Sequence, residues 1–319
     1  MFISFSGGET SGYMAALCNL AWRDKWDQVV TVFANTGEEN EETLEFVHQC
    51  DRRFGLNVVW VEAVVHPGRK ASTHRIVNIS TASRKGEPYE AVIKKYGIPN
   101  RDWPHCTREL KLRPMQSYIE SLGWEPGTYE TAVGIRADEA RRRSSTAKEN
   151  GIIYPLMDMR ATTKKDVNKF WLEQPFRLNL TGYQGNCKWC WKKSEAKLLA
   201  IMDEAPEKFD FPERMEALYG TVGAEYRKDD PAKNERRVFF RHHTSTIDLR
   251  ALYARKKAEG TLEDVVDDSL AIPDFEDQDG CVESCEVNFE EAVLEPTPAE
   301  EREKREKTPD YDFMGENEF

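Results

Sequence analysis

Three short segments of this 319-residue chain bring together residue types that support chemistry. In the first, the apolar run Phe2–Phe5 leads directly into Ser6-Gly7-Gly8-Glu9-Thr10-Ser11. Glycines there let the backbone turn tightly, so that amide hydrogens and hydroxyls point into one concavity. Together with the positive end of a following helix, such a concavity binds an anion. The spaced second glycine and lysine of a Walker loop are missing, and so is a Gly-x-Gly-x-x-Gly pattern. The second segment is Cys187-Lys188-Trp189-Cys190, which follows the turn Gly182-Tyr183-Gln184-Gly185-Asn186 and presents two thiolates to one metal. The third is Pro104-His105-Cys106-Thr107-Arg108-Glu109-Leu110-Lys111, where Cys106 is the natural third thiolate. Thiolates suit both zinc and iron–sulfur clusters. Cys18 and Cys50 fall on apolar faces of helical stretches and read as core residues.

These segments need elements to position them. Short apolar runs alternate with longer helical patterns through the first half, the signature of a parallel sheet wrapped by helices. Strands are expected at Phe2–Phe5, Val29–Ala34, Val58–Val64 and Tyr129–Val133. Helices are expected at Ser11–Trp22, Glu41–Arg53, Arg113–Leu122, Asp166–Leu172 and Ser194–Glu204. Beyond these, 205–260 reads as mixed, with Pro206 and Pro212 as breakers and a helix near Leu249–Ala258. The organisation implied is a nucleotide-binding domain over 1–200, a mainly helical extension over 201–260 and an acidic tail over 261–319. The tail's composition buries little apolar surface, so partial disorder is expected there.

Composition sets the class. Hydrophobic residues make up 39% and charged residues 32%, with a mean hydropathy of -0.70. No uncharged apolar run approaches the roughly 20 residues that span a bilayer. No secretory signal is visible at the N-terminus. A membrane protein and a secreted disulfide scaffold are therefore excluded, and the expected setting is the cytoplasm. The net charge of -12 belongs to the tail, where 21 acidic residues face 4 basic ones. The body is mildly basic, with clusters at Arg141–Arg143, Lys192–Lys193 and Arg236, Arg237 and Arg241. Such clusters are solvated faces or contacts for a phosphate-rich partner.

Further strand ends carry Asn35-Thr36-Gly37-Glu38-Glu39, Gly134-Ile135-Arg136-Ala137-Asp138-Glu139 and Tyr154-Pro155-Leu156-Met157-Asp158. Taken in order, from residue 3 to about residue 200, these segments resemble the PP-loop superfamily, in its phosphoadenosine phosphosulfate (PAPS) reductase-like branch. The resemblance implies an α/β fold of the adenine nucleotide alpha-hydrolase type, an open twisted, mostly parallel sheet with helices on both faces. It implies that Ser6, Gly7, Gly8, Thr10 and Ser11 hold the pyrophosphate or phosphosulfate end of an adenine nucleotide. Asn35, Thr36 and Gly37 match the family's Asp-Thr-Gly segment beside the adenosine, with Asn35 in place of the commoner aspartate. Gly134 and Arg136 match its Gly-x-Arg segment, where Arg136 is a bidentate clamp for phosphate or sulfate oxygens, or else a surface ion pair. The Cys106 region, with Lys111 and Pro114, resembles adenylylsulfate (APS) reductases. In those enzymes adjacent cysteines and a later Cys-x-x-Cys hold a [4Fe–4S] cluster. Here His105 stands where the first cysteine of the pair would be. The resemblance thus implies Cys106, Cys187 and Cys190 as ligands, with the fourth position taken by His105, Cys281 or Cys285, or left open.

Three functions follow. An ATP-using enzyme would let a substrate oxygen attack the α-phosphate, with Mg²⁺ neutralising the leaving pyrophosphate. With a cluster, its relatives transfer sulfur, and the basic clusters of the body tolerate a nucleic-acid substrate alongside a sulfur donor. A sulfonucleotide reductase would instead use APS or PAPS, release sulfite and draw on a thioredoxin-like reductant. It needs a late Glu-Cys-Gly-x-His segment. Only Cys281 and Cys285 follow Cys190, and Glu283 and Glu286 suppress the Cys285 thiolate. The third function is a non-catalytic nucleotide-binding protein whose acidic tail is its working part.

Overall fold

The computed structural model describes residues 1–223 and 236–262. Its centre is β1 (Phe2–Ser4), whose alternation sends Phe2 to one face of a sheet and Ile3 to the other. The same alternation recurs in β2 (Val30–Ala34), where Val32 and Phe33 part, and in β3 (Val59–Val64), where Trp60 and Val61 part. Both faces of the sheet are therefore apolar and need cover. On one face lie α1 (Glu9–Leu20) and α2 (Glu41–Phe54). On the other, Met115 and Ile119 of a later helix, Arg113–Ser121, pack against Phe2, Val32 and Val61.

Among the described residues the sheet has six strands in the order β4-β3-β2-β1-β5-β6. Pairing is parallel except between β3 and β4 (Thr73–Val77), which run antiparallel with Trp60 opposite Val77. The strands β5 (Thr131–Ala132) and β6 (Ile152–Ile153) are short. The α/β architecture with its mostly parallel sheet is thus the one expected. It brings the carboxyl ends of β1, β2 and β5 to one edge, where ligands bind in folds of this kind.

The remaining helices in chain order are α3 (Glu87–Tyr96), α4 (His105–Thr107), α5 (Arg113–Ser121), α6 (Pro155–Asp158), α7 (Lys164–Leu172), α8 (Glu195–Glu204), α9 (Asp210–Tyr219) and α10 (Thr246–Ala258). A π-helical segment, Arg108–Leu112, links α4 to α5, a widened turn that occurs often at functional sites. Trp171 of α7 packs on Phe46 and Phe54 of α2 and closes the first core. Helices α8 to α10 share a second core with α3, Leu110, Trp189 and Trp191. Pro206 opens a 3-10 turn, as a breaker should. Pro212, expected to break helix, instead lies in the first turn of α9, where its missing N–H has no helical partner to lose. Most of the acidic tail, 263–319, lies outside the described residues, and Cys281 and Cys285 with it.

Candidate nucleotide and thiol site

The loop after β1 is shaped by Gly7, whose φ of +85° is open only to glycine at low cost. A Cβ there would lie 2.7 Å from Thr43 Cγ2, so the loop is also pressed against α2. Gly8 differs. It is the N-cap of α1 with φ -94° and ψ 163°, a conformation open to any residue. Ser6 and Ser11 are buried, with their hydroxyl oxygens 2.8 Å apart, and Ser11 Oγ donates to the Gly8 carbonyl at 3.0 Å. Arg136 arrives from the end of β5 through Gly134. Its Nη1 donates to Thr10 Oγ1 at 3.0 Å and its Nε to Asp138 Oδ1 at 2.9 Å. Only 6% of Arg136 is exposed, so its ion pairs with Asp138 and with Glu139, at 3.4 Å, are buried rather than on the surface, and the same guanidinium reaches the loop through Thr10. Beside Thr10 opens a cavity of about 360 Å³ whose wall includes Lys164 and Arg177. Sequence reasoning missed both, since a lone lysine and arginine carry no pattern.

After β2 the three expected residues divide their work. Thr36 donates both its N–H and its hydroxyl to Glu39 Oε2, at 2.8 and 2.7 Å. Gly37, at φ +83°, lies so close to Gly86 that a Cβ would stand 3.0 Å from the Gly86 Cα. Asn35 turns away from the loop. Its Nδ2 donates to Glu62 Oε1 at 2.6 Å and to the Ser83 carbonyl at 2.9 Å, while Oδ1 accepts from Gly37 N–H. Glu62 is fully buried and also takes two donors from Arg75 and two from Ser83. The network accounts for an asparagine where an aspartate is commoner, because Glu62 already supplies the one negative charge this pocket neutralises.

The next strand-end residues reach the cysteines. Glu39 and Cys187 form an antiparallel bridge, and Lys188 N–H donates to the Glu38 carbonyl at 2.9 Å. Cys106, Cys187 and Cys190 line one narrow cavity of about 40 Å³ with Tyr89, Trp189 and Lys111. Burial, and then the three nearby thiols, push the Tyr89 hydroxyl well up. Lys111 Nζ stands 3.8 Å and Cys187 Sγ 3.9 Å from Glu39 Oε1. The thiol set offers soft donors suited to a cluster. Among the described residues, no three His, Cys, Asp or Glu side chains converge closely enough to hold a single metal ion. None of the five described cysteines is in a disulfide. Burial pushes the Cys18 thiol up to about 12 and raises that of Cys50, in keeping with core residues.

His105, one of the alternatives for the fourth ligand, lies outside the lining of the thiol cavity. It packs on Tyr96, and its Nε2 is 3.2 Å from the Gly97 carbonyl oxygen. Burial, with Arg108 and Arg237 nearby, pushes its pKa down to about 3, so the ring is neutral.

Glu38 was also missed. Burial pushes its carboxyl up to about 7, against the opposing pull of Lys188 and the Trp189 indole N–H, whose Nε1 lies 2.6 Å from Oε2. An acid whose folded pKa is raised binds its proton more tightly when folded. Stability then falls as pH rises from about 4.5 to about 7 and is flat above. The shift corresponds to a loss on the order of 3 kcal/mol. Glu38→Gln is expected to remove this slope, measured as the difference in denaturant midpoint between pH 5 and pH 8. A variant that keeps the full slope would assign it to another group.

With the loop, the arginine and the strand ends in place, the comparisons with known proteins acquire a structural meaning. Residues 1–76 match the model of the phosphoadenosine phosphosulfate reductase domain. Over that stretch the chain is similar to the PAPS reductase-like family. The match spans β1 to β4, including the Ser6–Ser11 loop and Asn35–Gly37, and stops before Cys106, Arg136 and the Cys-x-x-Cys. A full-length relative is the uncharacterized nin region protein ORF290 of Escherichia phage lambda, 29% identical over 89% of this chain and 94% of its own. Two uncharacterized proteins of Methanocaldococcus jannaschii are 29% and 26% identical over 46% and 50% of this chain. The matched segments make up 24% and 33% of those proteins. No solved structure matches the chain. No helix among the described residues is long and apolar enough to cross a membrane.

Proposed function

We propose that the protein is an ATP-dependent PP-loop enzyme that adenylates a substrate oxygen in the course of sulfur transfer. The observation that carries this reading is the joining of two sites at one sheet edge: a phosphate loop faced by a buried Arg136, and a cavity lined by three thiols. The Ser6–Ser11 loop, the N-terminus of α1 and Arg136 hold the pyrophosphate end of ATP, with Lys164 and Arg177 in the adjoining cavity. A substrate oxygen attacks the α-phosphorus. The bond from that phosphorus to the bridging oxygen breaks, and pyrophosphate leaves with the electron pair. The resulting adenylate is open to a sulfur nucleophile, which displaces AMP. Mg²⁺ supplies charge neutralisation on the leaving pyrophosphate when bound. Cys106, Cys187 and Cys190 would hold a [4Fe–4S] cluster, which supplies a sulfide-binding iron when its fourth position is open. A nucleic acid suits the acceptor role, given the basic clusters of the body.

The family match favours a second reading, in which the same loop holds APS or PAPS, a thiol attacks the sulfate sulfur and displaces the nucleotide to leave a cysteine S-sulfonate, and a thioredoxin-like dithiol then releases sulfite and is itself oxidised to a disulfide. That thiol would have to come from Cys281 or Cys285, whose acidic neighbours suppress the thiolate.

The two loop glycines give a clean test. Gly8 has an ordinary backbone conformation, so Gly8→Val is expected to fold while its branched side chain blocks approach of the phosphate. ATP affinity measured by calorimetry should fall tenfold or more, about 1.4 kcal/mol. Gly7→Val is not a substitute, because its strained φ and the contact with Thr43 would damage the fold itself. A folded Gly8→Val protein that binds ATP, APS and PAPS like wild type would remove the loop from the site.

A further inference from the structure

Asn186 lies between the two sites and belongs to neither wall. It is 1% exposed, and its Nδ2 donates to the Ser6 carbonyl at 2.6 Å. Its own carbonyl accepts from Asn40 N–H at 2.8 Å, and Asn40 Nδ2 donates to the Gly185 carbonyl at 2.7 Å. The next residue is Cys187, bridged to Glu39. A single short side chain therefore fastens the first residue of the phosphate loop to the backbone of the first thiol in the Cys-x-x-Cys. Asn186 Oδ1 is buried and makes no hydrogen bond, an uncommon state that costs roughly 1–3 kcal/mol for a polar atom.

We infer that Asn186 is a positioning residue that couples occupancy of the phosphate loop to the order of the Cys187 segment. The inference rests on the nucleotide-binding reading above. An anion drawn to the amides of Gly7 and Gly8 polarises the same run of peptide groups whose first carbonyl, that of Ser6, accepts from Asn186. The Nδ2 bond then strengthens, and the segment from Gly185 to Lys188 is held more tightly to the loop and to Glu38–Asn40 beyond β2. Binding that tightens a shared element is reciprocal, so a filled thiol cavity also favours the nucleotide. Cys106 sits on the separate helix α4 and is outside this link.

The test uses the full chain, anaerobic and metal-free, with iodoacetamide as the thiol probe. Saturating ATP, or PAPS in a parallel series, is expected to slow alkylation of Cys187 at least threefold, read by mass spectrometry, while the Cys106 rate changes less than twofold. Asn186→Ala should bind the nucleotide yet lose the protection at Cys187. Hydrogen exchange over residues 185–188 in the wild-type protein gives the same reading without a substitution and should slow by a similar factor. Nucleotide binding without either effect in wild type would overturn the coupling alone. Protection that survives Asn186→Ala would place the link elsewhere and overturn the role of Asn186. Failure of ATP, APS and PAPS all to bind wild type would overturn the nucleotide site and the coupling together.

Discussion

Replacing Asn35 by aspartate is expected to destabilise the protein by roughly 3–5 kcal/mol at neutral pH, the range for leaving a buried charge without a partner. The new oxygen would take the position of Nδ2, facing Glu62 Oε1 at 2.6 Å and the Ser83 carbonyl at 2.9 Å. Both are acceptors. One of the two carboxyls must then take up a proton, so its folded pKa is raised above its unfolded value. The penalty is absent below the unfolded pKa of about 4, grows through the interval and is complete above the folded pKa. Thermal unfolding should show a drop in Tm of roughly 10 °C at pH 8 and a clearly smaller drop at pH 5. An equal drop at both values would point to lost hydrogen bonds alone. Arg75→Gln should have a related effect, since it withdraws the cation that balances Glu62.

Cys190→Ser is expected to abolish metal retention. Protein purified without oxygen should carry iron and sulfide with a broad visible absorption, and the variant should hold less than a tenth of either. A serine hydroxyl is a poor donor to iron–sulfur and zinc centres alike, and the variant would keep only two of the three thiols proposed as ligands. Stoichiometric iron retained in the variant would remove Cys190 from the site. Zinc in the wild-type protein, with no sulfide, would replace the cluster by a structural metal.

The sheet was legible because both its faces are buried, which makes β1, β2 and β3 read as apolar runs. Strand β4 was not legible. Its residues Thr73, His74 and Arg75 lie at an edge that is only partly covered, so the alternation that marks a strand is weak. Helix α3 carries a clear apolar face at Tyr89, Val92, Ile93 and Tyr96, yet it lies between glycines at 86 and 97 and away from any motif, and it passed unassigned. The loop residues and Arg136 could be named from local pattern, because a strand, a turn and a helix follow one another directly. Glu38, Glu62 and Asn186 could not. Each matters through a partner far along the chain: Trp189 for Glu38, Asn35 for Glu62 and Ser6 for Asn186. A spacing rule sees none of those distances.

The second core also fixes an order of events during synthesis. The phosphate loop and the strands β1 to β4 that frame its sheet lie within the first 77 residues, apart from β5 and β6, which add only two residues each. The walls of the thiol cavity come later. Trp189 stacks on Tyr89 and meets Phe211 and Phe239, and the cluster that holds them closes with Leu249 and Leu262. The loop's own cover is late as well, since Met115 and Ile119 of α5 and Trp171 of α7 complete the two faces of its sheet, and the thiol cavity is walled last of all. Any shortened form made for experiment should retain Leu262, whose side chain is buried in that second core.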